Sequence, residues 1–207
     1  VTGFDASKVT VANGSKGSFS GSGSVYTLVV APDANEEGTL TLDVSTTGVT
    51  DAAGNQVTAP AQVSQPFDTL APTLTITDDS AGVANAAVTF TFTFSAPVIR
   101  FLSDDITVGN GSKGTFTAVS ETVYTLIVTP AAGAQGNITV DVSTTGVTDA
   151  AGNQATAPAQ ATQAFETIAP TITITDNMAG VVNGAVIFSF SFSETVTGFD
   201  ASKVIVA

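Results

Sequence analysis

The chain has 207 residues, enough for one or two domains with sizeable cores, and its five Lys plus Arg against eighteen Asp plus Glu give a net charge of −13. That balance argues against nucleic acid and anionic lipid as partners. With no Cys and no His, the sequence excludes disulfides, thiolate or imidazole metal sites, and Ser-His-Asp or Cys-His nucleophiles built from this chain alone, so any metal would be a hard cation held by oxygen, Ca²⁺ first.

Only 11% of residues are charged and 43% are hydrophobic, a β composition rather than a disordered one. The longest apolar runs are too short to span a bilayer, so no membrane insertion is expected. No signal-peptide core opens the chain, and an exported protein would contain this stretch internally or use another signal. In chain order, VTGFDASKVTV at Val1 is followed by the turn Asn13-Gly14 and by VYTLVV at Val25. Leu40, Leu42 and Val44 then alternate with Thr41 and Asp43. The next segment, DVSTTGVTDAAGNQ at Asp43–Gln56, returns unchanged 98 residues later at Asp141–Gln154. The same spacing links LAPTLTITDD at Leu70 to IAPTITITDN at Ile168, and FTFSAPV at Phe92 to FSFSETV at Phe190. NGSKGSF at Asn13 and NGSKGTF at Asn110 are 97 apart, and VTGFDASKV reappears at Val196. A unit of about a hundred residues is the size of one sandwich domain.

Within the unit the period is two. Val88, Phe90, Phe92 and Phe94 alternate with threonines, as Val186, Phe188, Phe190 and Phe192 alternate with Ile187, Ser189 and Ser191, and no helical periodicity competes. Seven strands are expected in the middle unit, near 72–78, 87–95, 105–109, 114–118, 123–129, 137–143 and 157–165. The fold class is all-β: tandem immunoglobulin-like Greek-key β-sandwiches of about seven strands each. Units beginning at Ala71-Pro72 and Ala169-Pro170 leave 1–69 without its first two strands, make 70–167 complete, and give 168–207 the first three strands. One explanation is a window on a longer tandem array. Another is a homo-polymer in which the C-terminal strands of one chain complete the open N-terminal sandwich of the next.

APTLTITDD, VTFTFTFS, VTGFDASKVTV, VYTLVV and GVTDAAGN, in this order around the repeat, resemble the bacterial Ig-like tandem repeats of giant biofilm-associated, type I-secreted (RTX-type) surface adhesins. The resemblance covers the whole chain. It implies an extracellular stalk segment at the bacterial cell surface, supporting adhesion or biofilm formation and commonly stiffened by Ca²⁺ between domains, with neighbouring repeats as its partners.

Strand alternation sorts the loops of each sandwich to its two ends, so acids from two domains and one linker are expected to meet at each junction. Ca²⁺ takes about 6–8 oxygens from carboxylates, carbonyls and water. The candidate ligands at the first junction are Asp68 in the linker and Asp149 and Asn153 in the sixth loop, with Asp33, Glu36 and Glu37 nearby. At the second they are Asp78, Asp79 and Glu166. Asp51, Asn55 and Asp176 are the repeat counterparts of Asp149, Asn153 and Asp78, whereas Asp33 and Glu36 match alanines and read as surface charges. The alternative is purely structural: Asp51, Asp149 and Asp78 would accept backbone N–H bonds in Asx-type turns with no metal.

Other chemistry is weaker. Asp104-Asp105 as a glycosidase pair would lie on opposite faces of a strand, and the first copy has Ser7-Lys8 there. Lys16 and Lys113, placed in an Asn-Gly-Ser-Lys-Gly turn, are poor isopeptide candidates, and the sequons at Asn13, Asn110 and Asn137 read as coincidental. Asp43 and Asp141 read as outward-facing edge charges. A binding module would use Val98–Asp105, where Ile99-Arg100-Phe101-Leu102 departs from Thr2-Gly3-Phe4-Asp5. No enzymatic activity is expected.

Overall fold

The computed structural model describes residues 1–58, 62–156 and 160–206. The chain is all-β, with three single-turn 3₁₀ segments at Ala6–Lys8, Ser103–Asp105 and Ala201–Lys203. Residues 1–68 contribute β1 (Val9–Ala12), β2 (Gly14–Ser22), β3 (Val25–Pro32), β4 (Glu37–Val44) and β5 (Gln62–Asp68). The next seven are β6 (Leu74–Asp78), β7 (Val88–Phe94), β8 (Ile106–Gly109), β9 (Gly111–Ala118), β10 (Val123–Pro130), β11 (Gln135–Val142) and β12 (Ala161–Glu166). They are followed by β13 (Ile172–Asp176) and β14 (Phe188–Phe192).

Strands β6 to β12 form two sheets, β6-β7-β10-β9 and β12-β11-β8, with every hydrogen-bonded pair antiparallel. This four-plus-three arrangement is that of an immunoglobulin-like sandwich. The alternation in the sequence produces it directly. In β7 the side chains of Val88, Phe90, Phe92 and Phe94 are buried, and they meet Leu126 and Val128 from β10 and Ile106, Ile138 and Val140 from the other sheet in one core. Each such fully buried side chain stabilises the fold by about 1.5–3 kcal/mol, an upper figure because unfolded chains already bury some apolar surface. Phe101, just outside the strands, sits 5.6, 5.1, 5.8 and 5.0 Å from the ring centroids of Phe92, Phe94, Phe116 and Tyr124.

All seven expected middle strands are present, with shifted ends. The fourth starts at Gly111 rather than 114, because Asn110 takes a left-handed φ of 58° and the chain reverses within one residue. The last begins at Ala161, and residues 157–159 of the expected strand lie outside the described residues. In the first segment β1-β4-β5 and β2-β3 form two smaller sheets. Pro66 is tolerated in β5 because that strand is an edge. The last segment contains the β13-β14 pair. Val204–Val206, which the repeat aligns with Ile106–Val108 of β8, makes no ladder.

Three local expectations are corrected. Asp104 and Asp105 lie on a 3₁₀ turn, not a strand, and the Asp105 carboxylate accepts the Leu102 N–H at 2.8 Å. Asp43 and Asp141 are exposed and face outward, but β4 and β11 are central strands, so they are not edge charges; each accepts a bond from a glutamine, Gln62 at the start of β5 or Gln160 just before β12. Lys16 and Lys113 belong to strands, because β2 and β9 start at Gly14 and Gly111.

Candidate functional site

The loop Thr144–Ala155 is built by one carboxylate. Asp149 Oδ1 accepts the Asn153 N–H at 2.8 Å and Oδ2 accepts the Asn153 side-chain Nδ2 at 2.9 Å, while the backbone closes with Gly152 N–H to Asp149 O. Gly152 supplies the left-handed φ of 94° that this reversal needs. Asp51 and Asn55 repeat the arrangement at 2.8 Å for both bonds. The remaining acids are used in the same way. Asp68 Oδ1 accepts Leu70 N–H, Asp78 Oδ1 accepts Ser80 N–H, Asp79 Oδ1 accepts Thr89 N–H, and Asp176 Oδ1 accepts Met178 N–H, each at 2.8 or 2.9 Å. The Glu166 carboxylate accepts Ile168 N–H. These bonds hold the Asp51 and Asp79 carboxyls below their ordinary range, led by the Asn55 side chain and the Thr89 backbone respectively.

The structure brings the sixth loop to the first linker. Asn153 Nδ2 also donates to the Asp68 carbonyl at 3.2 Å, and Thr156 N–H donates to the Pro72 carbonyl at 2.8 Å beside a parallel bridge between Thr73 and Thr156. At the other end of the middle sandwich the turn after β6 meets the end of β12, where Ala84 N–H donates to Ala164 O, Glu166 N–H to Ala84 O, and Gln163 Nε2 to Gly82 O. Each candidate acid accepts a backbone N–H within its own turn or linker, Asp78 and Asp79 sharing the turn after β6. Among the described residues, no three acidic side chains come together as a group that could hold a metal ion. The donor chemistry suits Ca²⁺, but the arrangement is not a ready cation cage, and each acid's placement follows from its own turn.

Sequence reasoning missed the residues that hold the linkers. Thr69 Oγ1 lies 2.7 Å from the Asp33 carbonyl and 3.0 Å from the Glu36 carbonyl, accepts Glu36 N–H at 3.1 Å, and Thr69 N–H donates to Glu36 O at 2.8 Å. Thr167 makes the same four contacts, with the same distances, to Ala131 and Ala134. Asp33 and Glu36 therefore matter through their carbonyls, which explains why alanines replace them. A threonine one residue past each linker acid was the available signal. Lys113 was also missed: its Nζ donates to Ser103 O and Ile106 O, as Lys16 Nζ does to Ala6 O and Val9 O, tying the 3₁₀ turn to the neighbouring sheet. Asn13 and Asn110 spend Nδ2 on the carbonyls of Thr39 and Asn137, a structural use of both sequons.

At the second linker an open cleft of about 540 Å³ is lined by Asn85, Glu166, Pro170, Glu194 and Thr197. The corresponding place at the first linker is occupied by the sixth loop, where Ile99 bridges Thr148. In Val98–Asp105, Phe101 is buried while Ile99 and Leu102 are 53% and 60% exposed. Arg100 has φ 66°, where the other copies place Gly3 and Gly198, each at 76°. Among the described residues no helix is long and apolar enough to cross a membrane.

A family model described as a bacterial Ig-like domain matches residues 1–65 and again 68–165. No curated protein and no solved structure matches the chain.

Proposed function

Because the chain belongs to the bacterial Ig-like domain family, we propose that it is a spacer: a run of tandem sandwiches in an extracellular stalk that carries a binding tip away from a bacterial cell surface, in support of adhesion or biofilm formation. The observation that carries this reading is the repetition of one joint. Thr69 and Thr167 anchor successive linkers to the preceding turn with the same four hydrogen bonds, and Pro72 and Pro170 follow. A spacer must pass position and force from one repeat to the next, and a linker with few conformers does so. The role requires no catalysis, in keeping with a family fold that is non-catalytic. Stiffening by Ca²⁺ is a separable component, supported only by the oxygen chemistry of the linker and loop acids. Small-angle X-ray scattering tests the reading: the 207-residue chain is expected to scatter as an extended, narrow particle, and a compact or fully flexible profile would refute the spacer.

A second reading, strand exchange between copies, draws on one register. β10 pairs with β9 on one edge and β7 on the other, setting Tyr124 opposite Phe92 and Leu126 opposite Phe90. Among the described strands its counterpart β3 pairs with β2 alone, and β14, the counterpart of β7, pairs with β13 alone. The repeat would set Tyr26 opposite Phe190 and Leu28 opposite Phe188. Any further repeat, in the same chain or another, would use that register. Filaments in electron micrographs, lost in Ser189→Pro, would favour exchange between molecules; monomers at all concentrations would exclude it.

A further inference from the structure

The linker between β5 and β6 is held from both sides. Thr69 ties it back to the turn between β3 and β4 through Asp33 and Glu36. Asn153 and Thr156 tie it forward, to the carbonyls of Asp68 and Pro72. Asp68 closes its own turn on Leu70 N–H, and Thr73 N–H donates to Ser95 Oγ at 2.9 Å while Ser95 N–H returns to Thr73 O. From 68 to 73, every residue except Ala71 has a hydrogen-bonded backbone or side-chain group, and Pro72 is fully buried. The second linker has the Thr167 contacts and the Thr171 N–H bond to Ser193 Oγ, but among the described residues no loop lies over it, and Pro170 is exposed. The first linker leads into the seven strands β6 to β12, the second into β13 and β14. Asp149, beside the first linker, is only 5% exposed, whereas Asp51, in the same loop sequence, is exposed.

We propose that the loop Thr144–Ala155 is a docking surface for the linker of the preceding repeat, and that Asn153 and Thr69 together form a hydrogen-bonded joint fixing the direction between repeats with no cation required. The inference rests on the spacer reading and names the contacts that would make the spacer stiff. The loop Gly48–Gln56, with Asp51 and Asn55 in the same geometry, presents the same surface to a linker of the Asp68–Pro72 kind. Several hydrogen bonds made at once, part-buried at Asn153 and exposed at Thr69, narrow the joint, because leaving its arrangement breaks all of them together.

The absence of cysteine allows the test on the full chain. Spin labels placed through Ser18→Cys and Ser112→Cys, both exposed sites on different segments, report the distance distribution across the joint by double electron–electron resonance. The native distribution is expected to be narrow and unchanged by EDTA or added Ca²⁺. Thr69→Val and Asn153→Ala together are expected to roughly double its width, and Thr69→Ser alone to leave it narrow, because serine keeps the hydroxyl. Near-ultraviolet circular dichroism of each variant checks that the core is intact. A native distribution that broadens on chelation, or a double variant with an intact core that stays narrow, would overturn the joint. A native distribution that is broad from the outset would instead refute the spacer reading itself.

Discussion

Asp149 and Asp51 share the sequence Asp-Ala-Ala-Gly-Asn, yet their surroundings differ, which makes the pair a built-in comparison. Burial of Asp149 pushes its carboxyl up, but the hydrogen bonds from the Asn153 side chain and backbone, and from Gly152 and Ala151, outweigh it, so the group stays below its ordinary value. A carboxyl with a lowered folded pKa contributes stability that is present above the unfolded value of about 3.9 and lost as pH falls through the folded value. Acidification below pH ~4 should therefore open the loop, read as a fall in the protection of the Asn153 amide relative to its intrinsic exchange rate at each pH. Asp149→Ala should cost about 1–3 kcal/mol in chemical denaturation, because it leaves part-buried donors unsatisfied, and Asp51→Ala should cost less. Equal losses at the two positions would show that the linker contact adds nothing. These turn acids were legible in the sequence as turn formers; that no three of them gather among the described residues was not, since the distance between two loops depends on the sheets that carry them.

At the level of elements, strand alternation fixed most of the sandwich, and the two sheets follow from which faces are apolar. Phe101 shows where that logic stops. It lies between β7 and the 3₁₀ turn, outside any alternating run, and the departure of its neighbours from the first copy made it look like part of a variable binding loop. Its ring instead joins Phe92, Phe94, Phe116 and Tyr124, with Phe4 and Phe199 in the equivalent positions of the other copies. Phe101→Ala should lower the stability of the middle sandwich by about 3–5 kcal/mol, the range for truncating a buried aromatic, and shift its guanidinium midpoint down accordingly. A shift no larger than that of an exposed substitution such as Leu102→Ala would return Phe101 to the surface. Position 100 carries its own backbone cost, because an arginine occupies a left-handed φ that the other copies give to glycine.

Over the whole molecule, eighteen acids and a net charge of −13 create self-repulsion that salt screens. Raising ionic strength from a few millimolar to physiological should increase the melting temperature, and Na⁺ should do so as well as Ca²⁺ at equal ionic strength if screening is the cause. A flat profile would mean that the acids sit too far apart to repel. The sequence by itself determined the repeat, the all-β class and the approximate places of the middle strands, because a period of two and a near-exact internal copy are properties of the chain alone. The turn role of each Asp was also readable, since an Asx turn spans only a few residues. Only the tertiary structure decided that Thr69 and Thr167 anchor the linkers, that Asn153 reaches the Asp68 carbonyl, and that among the described residues no three acids gather. Those contacts join residues 33 to 85 positions apart, and no local pattern encodes which carbonyl a side chain meets once the sheets have folded.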